Sequence, residues 1–207
     1  MTKPVTIDFI FDFASPNAYL SWKVLPELLA RTGARVNVIP CLLGGIFKAT
    51  NNAAPMVAFG DVKGKLAYEG LETRRFIARH GLTAFRMNPH FPVNTLTIAR
   101  AFVAAGRMGV SEDYMEVVLA AMWEQGEKMD DPEVVRRVLD AGGLNGESLL
   151  AATQDPEVKA ELVANTEAAV ERGVFGIPTF FVGDEMFFGK ERLGQVEDEV
   201  RRQSAAA

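Results

Sequence analysis

Two tetrapeptides carry the chemistry this chain can do. In Ser15-Pro16-Asn17-Ala18 a hydroxyl stands directly before a proline, the order of a helix N-cap and its first helical position, where a missing N–H is no loss. The first turn of a helix offers unpaired N–H groups and the positive end of the macrodipole, so a thiolate would be at home there. The single cysteine, Cys41, stands elsewhere in the chain. Ser15 therefore either offers its hydroxyl to a sulfur borrowed from a ligand or only caps a helix, and the tetrapeptide alone leaves both open. The second motif is Gly176-Ile177-Pro178-Thr179, just before a β-branched and aromatic run. A cis proline there leaves the backbone of Ile177 free to pair with an extended peptide. The plain alternative is a proline that merely opens a strand.

The elements that must position these motifs are written in their flanks. Val5, Ile7, Phe9, Phe11 and Phe13 alternate with mostly polar residues, which predicts a strand with one apolar face. After Ser15, the residues Leu20, Val24, Leu25, Leu28 and Leu29 recur at helical spacing up to Gly33, with Pro26 inside as an expected kink. A second strand follows from Arg35 to about Cys41, and a crossover of this length predicts parallel pairing with right-handed connection. From about Val62 to Gly173 strand patterning disappears. Start signals at Asn94, Ser111, Asp131-Pro132 and Asp155-Pro156, and stop signals at Gly106, Gly142 and Gly173, predict five or six helices. Thr179 to Val182, the turn Gly183-Asp184, and Glu185 to Phe188 read as a hairpin. Gly189 then opens a last helix, Lys190 to about Gln203, with Ser204-Ala205-Ala206-Ala207 expected to fray. The order βαβ, helical block, ββα predicts an α/β fold in which residues 1–61 and 174–207 form one domain and residues 62–173 an inserted helical one. The pairs Phe180-Phe181 and Phe187-Phe188 are expected to fill both faces of their strands, and Trp123 a helix core stripe.

Composition narrows the function classes. With 207 residues, 48% of them hydrophobic, the chain can bury a core without staples, and one cysteine excludes an intramolecular disulfide or a Cys-x-x-Cys redox pair. That suits a reducing, cytoplasmic setting. The N-terminal MTKPVTIDFIF lacks the pattern of a signal peptide, and no run of about 18 apolar residues would span a membrane. A net charge of −5 with interspersed signs offers no basic face for nucleic acid, and neither His80 nor His90 has a partner at metal-ligand spacing.

A resemblance draws these features together. Asp12-Phe13-Ala14-Ser15-Pro16-Asn17-Ala18-Tyr19-Leu20, Leu43-Gly44-Gly45-Ile46-Phe47-Lys48, Asn88-Pro89-His90-Phe91-Pro92-Val93-Asn94-Thr95-Leu96, Phe175-Gly176-Ile177-Pro178-Thr179 and Phe188-Gly189-Lys190-Glu191-Arg192-Leu193 resemble, in the same order, the 2-hydroxychromene-2-carboxylate isomerases. Those enzymes stand with the kappa-class glutathione transferases in the DsbA-like thioredoxin group, and the likeness spans about residues 4–200. It implies a thioredoxin-like fold with an all-helical insertion, in DsbA/kappa-class topology. Ser15 then occupies the place of the reactive cysteine of Cys-x-x-Cys.

The resemblance also implies a glutathione cofactor. Ser15 would hydrogen-bond its thiolate, and Ile177 beside cis-Pro178 would pair with its cysteinyl unit. Asn52 and Lys63 match positions that contact the tripeptide. The Gly189-Lys190-Glu191 turn would receive the γ-glutamyl carboxylate on its N–H groups while an acid holds the ammonium. Glu191 departs from the aspartate usual in the family and would reach about 1.5 Å further, a C–C bond length. The implied reaction is reversible interconversion of 2-hydroxychromene-2-carboxylate and trans-o-hydroxybenzylidenepyruvate by a homodimer, with a small aromatic electrophile as substrate. Trp22, Phe47 and Met56 are candidates for lining its pocket. Two other readings stay open, a kappa-like transferase or peroxidase that consumes glutathione and a non-catalytic thiol- or peptide-binding module.

Overall fold

A computed structural model of the chain describes residues 4–206; residues 1–3 and 207 lie outside that range. The alternating N-terminal segment forms β1 (Thr6–Phe11), and β2 (Arg35–Pro40) runs parallel to it, with Ile7 opposite Val36 and Phe11 opposite Pro40. Between them lies α1 (Pro16–Thr32), capped by Ser15 and stopped at Gly33, whose φ of 69° suits a residue without Cβ. The hairpin is β3 (Thr179–Val182) and β4 (Glu185–Phe188), with the bounds expected from the sequence. β3 pairs antiparallel with β1, which gives the sheet order β2-β1-β3-β4.

Central β1 is buried more completely than its alternation predicts. Ile7, Phe9 and Phe11 are buried as expected, but Ile10 and, just beyond the strand, Asp12 on the supposedly polar side are no more than 1% exposed. Both faces are covered. On one, the indole of Trp22 from α1 stacks 6.5 Å from Phe9; on the other, Arg172 reaches Asp8 at 3.0 Å and lies 3.7 Å from the ring centre of Phe181.

The expected block holds six helices, as its punctuation suggests, but helix begins before it. α2 (Leu43–Thr50) and α3 (Pro55–Ala58) form ahead of the expected block. The block itself holds α4 (Lys65–His80), α5 (Leu96–Arg107), α6 (Ser111–Ala120), α7 (Pro132–Ala141), α8 (Gly146–Ala152) and α9 (Pro156–Glu171), with a π turn at Ala121–Gln125. Gly106 does not end its helix, since α5 runs on to Arg107. After β4 comes a 3₁₀ turn, Lys190–Arg192, and then α10 (Leu193–Ala206). The fraying expected at Ser204–Ala206 gives way to helix, because the Gln203 amide donates to Val182 O (2.9 Å) and to Glu199 (2.8 Å), tying the last turn to the hairpin; Ala207 lies outside the described residues. Phe188 also departs from expectation: on edge strand β4 it is 43% exposed, its ring 4.6 Å from that of Phe175.

One contiguous apolar cluster joins the sheet to the inserted helices. Its hinge is Phe102 of α5, whose ring lies 5.6 Å from Phe13, 5.8 Å from Tyr114 and 6.1 Å from Phe11. Phe102→Ala is expected to cost about 3–5 kcal/mol in urea unfolding, the range for emptying a buried aromatic site. A loss below about 1 kcal/mol would show that the cluster does not join the two parts.

Candidate active site

Ser15 does cap α1. Its backbone is extended (φ −97°, ψ 112°) and its Oγ accepts the Ala18 N–H at 3.2 Å. The same hydroxyl donates to the carbonyl of Ile177 at 3.0 Å, across 162 residues of sequence. The Ile177–Pro178 bond is cis, and the Pro178 carbonyl accepts the Gly189 N–H at 2.9 Å. The two tetrapeptides thus meet at one point beside the start of the last helical segment. Ser15 is 4% and Ile177 6% exposed. A serine hydroxyl has one proton, and here Ile177 holds it.

The turn that carries Ser15 is fixed by a residue the alternation pattern assigned to a solvated face. Asp12 is 1% exposed. Its Oδ1 accepts the Ala14 N–H (3.0 Å) and the Thr95 hydroxyl (2.7 Å), and its Oδ2 accepts the Leu43 N–H (2.7 Å). Burial pushes its pKa above the ordinary value, and the donors from Leu43, Ala14 and Thr95 pull back against that. The local signal was available, since Asp two residues before a free N–H makes an Asx turn. Trp123 holds the same turn from below through Nε1–H to the Phe13 carbonyl at 3.0 Å.

Neighbouring groups are quiet. Cys41 is fully buried, its thiol pushed up to about 12 by burial and by the nearby charge of Asp12, so it is no nucleophile at neutral pH. Tyr19, one turn beyond Ser15, is 1% exposed and donates to Glu124 at 2.9 Å; burial and Glu124 raise its pKa.

The other sequence-selected residues fall into two groups. Asn52 joins the centre, its amide donating to the Phe175 carbonyl at 2.8 Å, two residues before Ile177. Lys63 is exposed on the turn between α3 and α4 and has no ion pair among the described residues. Lys190 is buried, its ammonium bonded to the Glu191 carboxylate and 5.5 Å from the ring centre of Phe76. Both line a cleft of about 560 Å³ that also takes in Val24 and Leu28 of α1. Val24 lies nine residues past Ser15, roughly 14 Å along the helix at 1.5 Å per residue. Glu191 thus already has a cation within the chain, in addition to any ammonium a ligand would bring to it. Trp22 is a correction: its Nε1–H donates to Glu116 of α6, and it borders a groove with Pro40 and Phe102 that does not include Ser15. Phe47 sits half-buried on α2 and Met56 is 44% exposed on α3.

Removing the Asp12 carboxylate strands three donors at once. Asp12→Ala is expected to lower stability by about 3 kcal/mol or more, since each buried donor left unpaired costs about 1–3 kcal/mol. Thr95→Val, which removes one donor from the same carboxylate, is expected to cost about 1–2 kcal/mol. Chemical denaturation of both variants checks this, and a neutral Asp12→Ala would contradict it.

Comparison with known proteins agrees with this architecture. The chain is 29% identical over 198 residues to a 2-hydroxychromene-2-carboxylate isomerase of Pseudomonas putida, covering 95% of this chain and 94% of that one. It is 25% identical over 210 residues to glutathione S-transferase kappa 1 of Homo sapiens, covering 92% and 88%. Among solved structures, a 2-hydroxychromene-2-carboxylate isomerase superposes with a TM-score of 0.82 at 28% identity, over 96% of each chain. A probable DsbA oxidoreductase from Streptomyces coelicolor, at 19% identity, shares the fold with a TM-score of 0.74 over 95% of this chain and 89% of that one. The sequence model of the DSBA-like thioredoxin domain matches residues 6–201, and with nearly its whole length accounted for, the chain belongs to that family.

Proposed function

We propose that this protein is a glutathione-dependent isomerase that interconverts 2-hydroxychromene-2-carboxylate and trans-o-hydroxybenzylidenepyruvate, a step of aromatic hydrocarbon catabolism. The observation that carries the reading is the Ser15 hydroxyl at the N-terminus of α1, 3.0 Å from the Ile177 carbonyl beside a cis proline. That is a thiol-handling geometry in a chain with no cysteine at that place. The curated relatives that carry the isomerase name support it. We take residues 62–173 as a unit inserted between 1–61 and 174–207 from the order of the elements, the setting as cytoplasmic from the single cysteine, and the working state as a homodimer from the resemblance.

The donor set fits glutathione in kind. Ser15 and the first turn of α1 suit a thiolate, the Ile177 backbone suits a peptide unit, and Lys63, exposed and without an ion pair among the described residues, suits a carboxylate. Asn52 steadies the Phe175–Ile177 segment through the Phe175 carbonyl. The Lys190–Glu191 pair, with Gly189 at φ 97° before it, would lie at the γ-glutamyl end. Bound there, glutathione supplies a thiolate whose reversible addition to the substrate's double bond allows that bond to rotate. For its part Ser15 must turn its single proton from Ile177 toward the sulfur, and the released Ile177 carbonyl becomes an acceptor for a peptide N–H. The hydroxyl is worth about 1.5–3 kcal/mol to a thiolate and the helix terminus about 0.3–1 kcal/mol more.

A cofactor is regenerated, whereas a transferase or peroxidase substrate is consumed. Assay of the chromene with glutathione below the substrate concentration is expected to show many turnovers per glutathione with none lost. One glutathione lost per product would instead support the kappa-like transferase, and two lost per peroxide reduced the peroxidase. Binding of extended peptides with no rate on any electrophile would support the non-catalytic module. Ser15→Ala is expected to lower kcat by about 10- to 150-fold with the fold intact, the rate equivalent of its hydrogen bond. Lys63→Ala is expected to raise the KM for glutathione by about tenfold through loss of a charge-assisted contact. Unchanged kcat in Ser15→Ala would remove Ser15 from the mechanism.

A further inference from the structure

We infer that the Lys190–Glu191 pair sets which thiols this chain accepts: at the end remote from the sulfur it selects a carboxylate and does not require the ammonium of glutathione. The inference rests on the glutathione reading of the Ser15 site. It departs from the resemblance, which gives the acid of the Gly189 turn to that ammonium.

The Lys190 side chain is 2% exposed, and its ammonium has one acceptor among the described residues, the Glu191 carboxylate. Phe76 of α4 covers it, with the ring centre 5.5 Å away. A buried ammonium stripped of its counter-ion is strongly unfavourable, so Glu191 is not free to leave Lys190 for a ligand. Its second oxygen is turned back on the same turn, where Oε2 stands 3.2 Å from the position a Cβ on Gly189 would take. A ligand ammonium arriving here meets a neutral pair in place of a free anion, and the Coulomb attraction of the two partners largely cancels. Lys190 acts through Glu191 and is in this sense a positioning residue.

The cleft that both residues border offers no other free acid. Glu72 is held by Arg75, and Glu197 by Arg31 at 2.7 Å. Arg79, on the same lining, forms no ion pair among the described residues. Burial lowers the pKa of His80, which adds no charge at neutral pH. With Lys190 and Glu191 also paired, the charge of Arg79 is left over. The zwitterionic end of glutathione leaves that surplus as it is, whereas an end group with a carboxylate alone neutralises it.

The test is calorimetric titration of the full chain with three thiols: glutathione, glutaryl-cysteinylglycine, which keeps the distal carboxylate and lacks the ammonium, and 4-aminobutyryl-cysteinylglycine, which keeps the amine and lacks the carboxylate. The glutaryl thiol is expected to bind within about threefold of glutathione, and the aminobutyryl thiol at least about tenfold more weakly than either, the loss of one charge-assisted contact. Lys190→Met removes the buried cation and frees Glu191, so in that variant glutathione is expected to gain a preference of about tenfold or more over the glutaryl thiol. Glutathione bound about tenfold or more tightly than the glutaryl thiol by the native chain would overturn the inference while leaving the glutathione reading intact. An aminobutyryl thiol as tight as the glutaryl one, or a ratio of glutathione to glutaryl affinity that Lys190→Met leaves unmoved, would overturn it too. Binding of none of the three would overturn the inference together with the reading on which it rests.

Discussion

A carboxylate removed from water must find donors, and the side chain of Asp12 finds three from three separate parts of the chain. The Ala14 N–H comes from its own turn, the Leu43 N–H opens α2, and the Thr95 hydroxyl opens α5, 83 residues away. The turn that presents Ser15 is therefore not an autonomous loop. Its shape depends on α2 lying against the end of β1 and on the inserted helices being docked, and Trp123 adds a further hold at the Phe13 carbonyl. The insertion acts as a scaffold for the turn as well as a cover.

At the site itself one proton has two claimants. The Ser15 hydroxyl caps α1 as an acceptor while donating to Ile177, so the cap aims the oxygen and the carbonyl holds the hydrogen. Transfer of that hydrogen bond to a bound sulfur costs the fold little if the Ile177 carbonyl gains a peptide N–H in return. In the proposed reading the sulfur arrives with the ligand, so the chain needs no cysteine at this position. The chain's own thiol, Cys41, is kept protonated by burial beside Asp12.

Local signals in the sequence were enough for the parts built locally. Alternation located β1, the Ser15-Pro16 cap and Gly33 bounded α1, and the Gly183-Asp184 turn set the hairpin, because each is decided by residues within a few positions of one another. Ser15, Ile177 and Pro178 were selectable for the same reason, and their resemblance to a known pattern supplied the long-range link. What was not legible depends on tertiary cover. Asp12 and Ile10 read as an outward face until Arg172 and the inserted helices close over that side of the sheet. α2 has no side-chain cap and two glycines near its start, so nothing local announces it. The Lys190–Glu191 pair was likewise hidden, since adjacent opposite charges ordinarily point into water, and only the burial of Lys190 against Phe76 forces them together. Trp22 misled because an aromatic about two turns along a helix from its cap is turned by whatever packs beside it; here it faces β1 and Glu116.

The claim on which the account rests is that Ser15 and the α1 terminus together stabilise a borrowed thiolate. Its most direct test is the pH titration of ultraviolet thiolate absorbance for glutathione bound to the native chain and to Ser15→Ala. Cys41, pushed up to about 12, is silent across the neutral range. The bound thiol is expected to titrate near neutrality in the native protein, down from about 8.5, and about one to two units higher in the variant. A native value equal to that of the free thiol, or one that Ser15→Ala leaves unmoved, would contradict it.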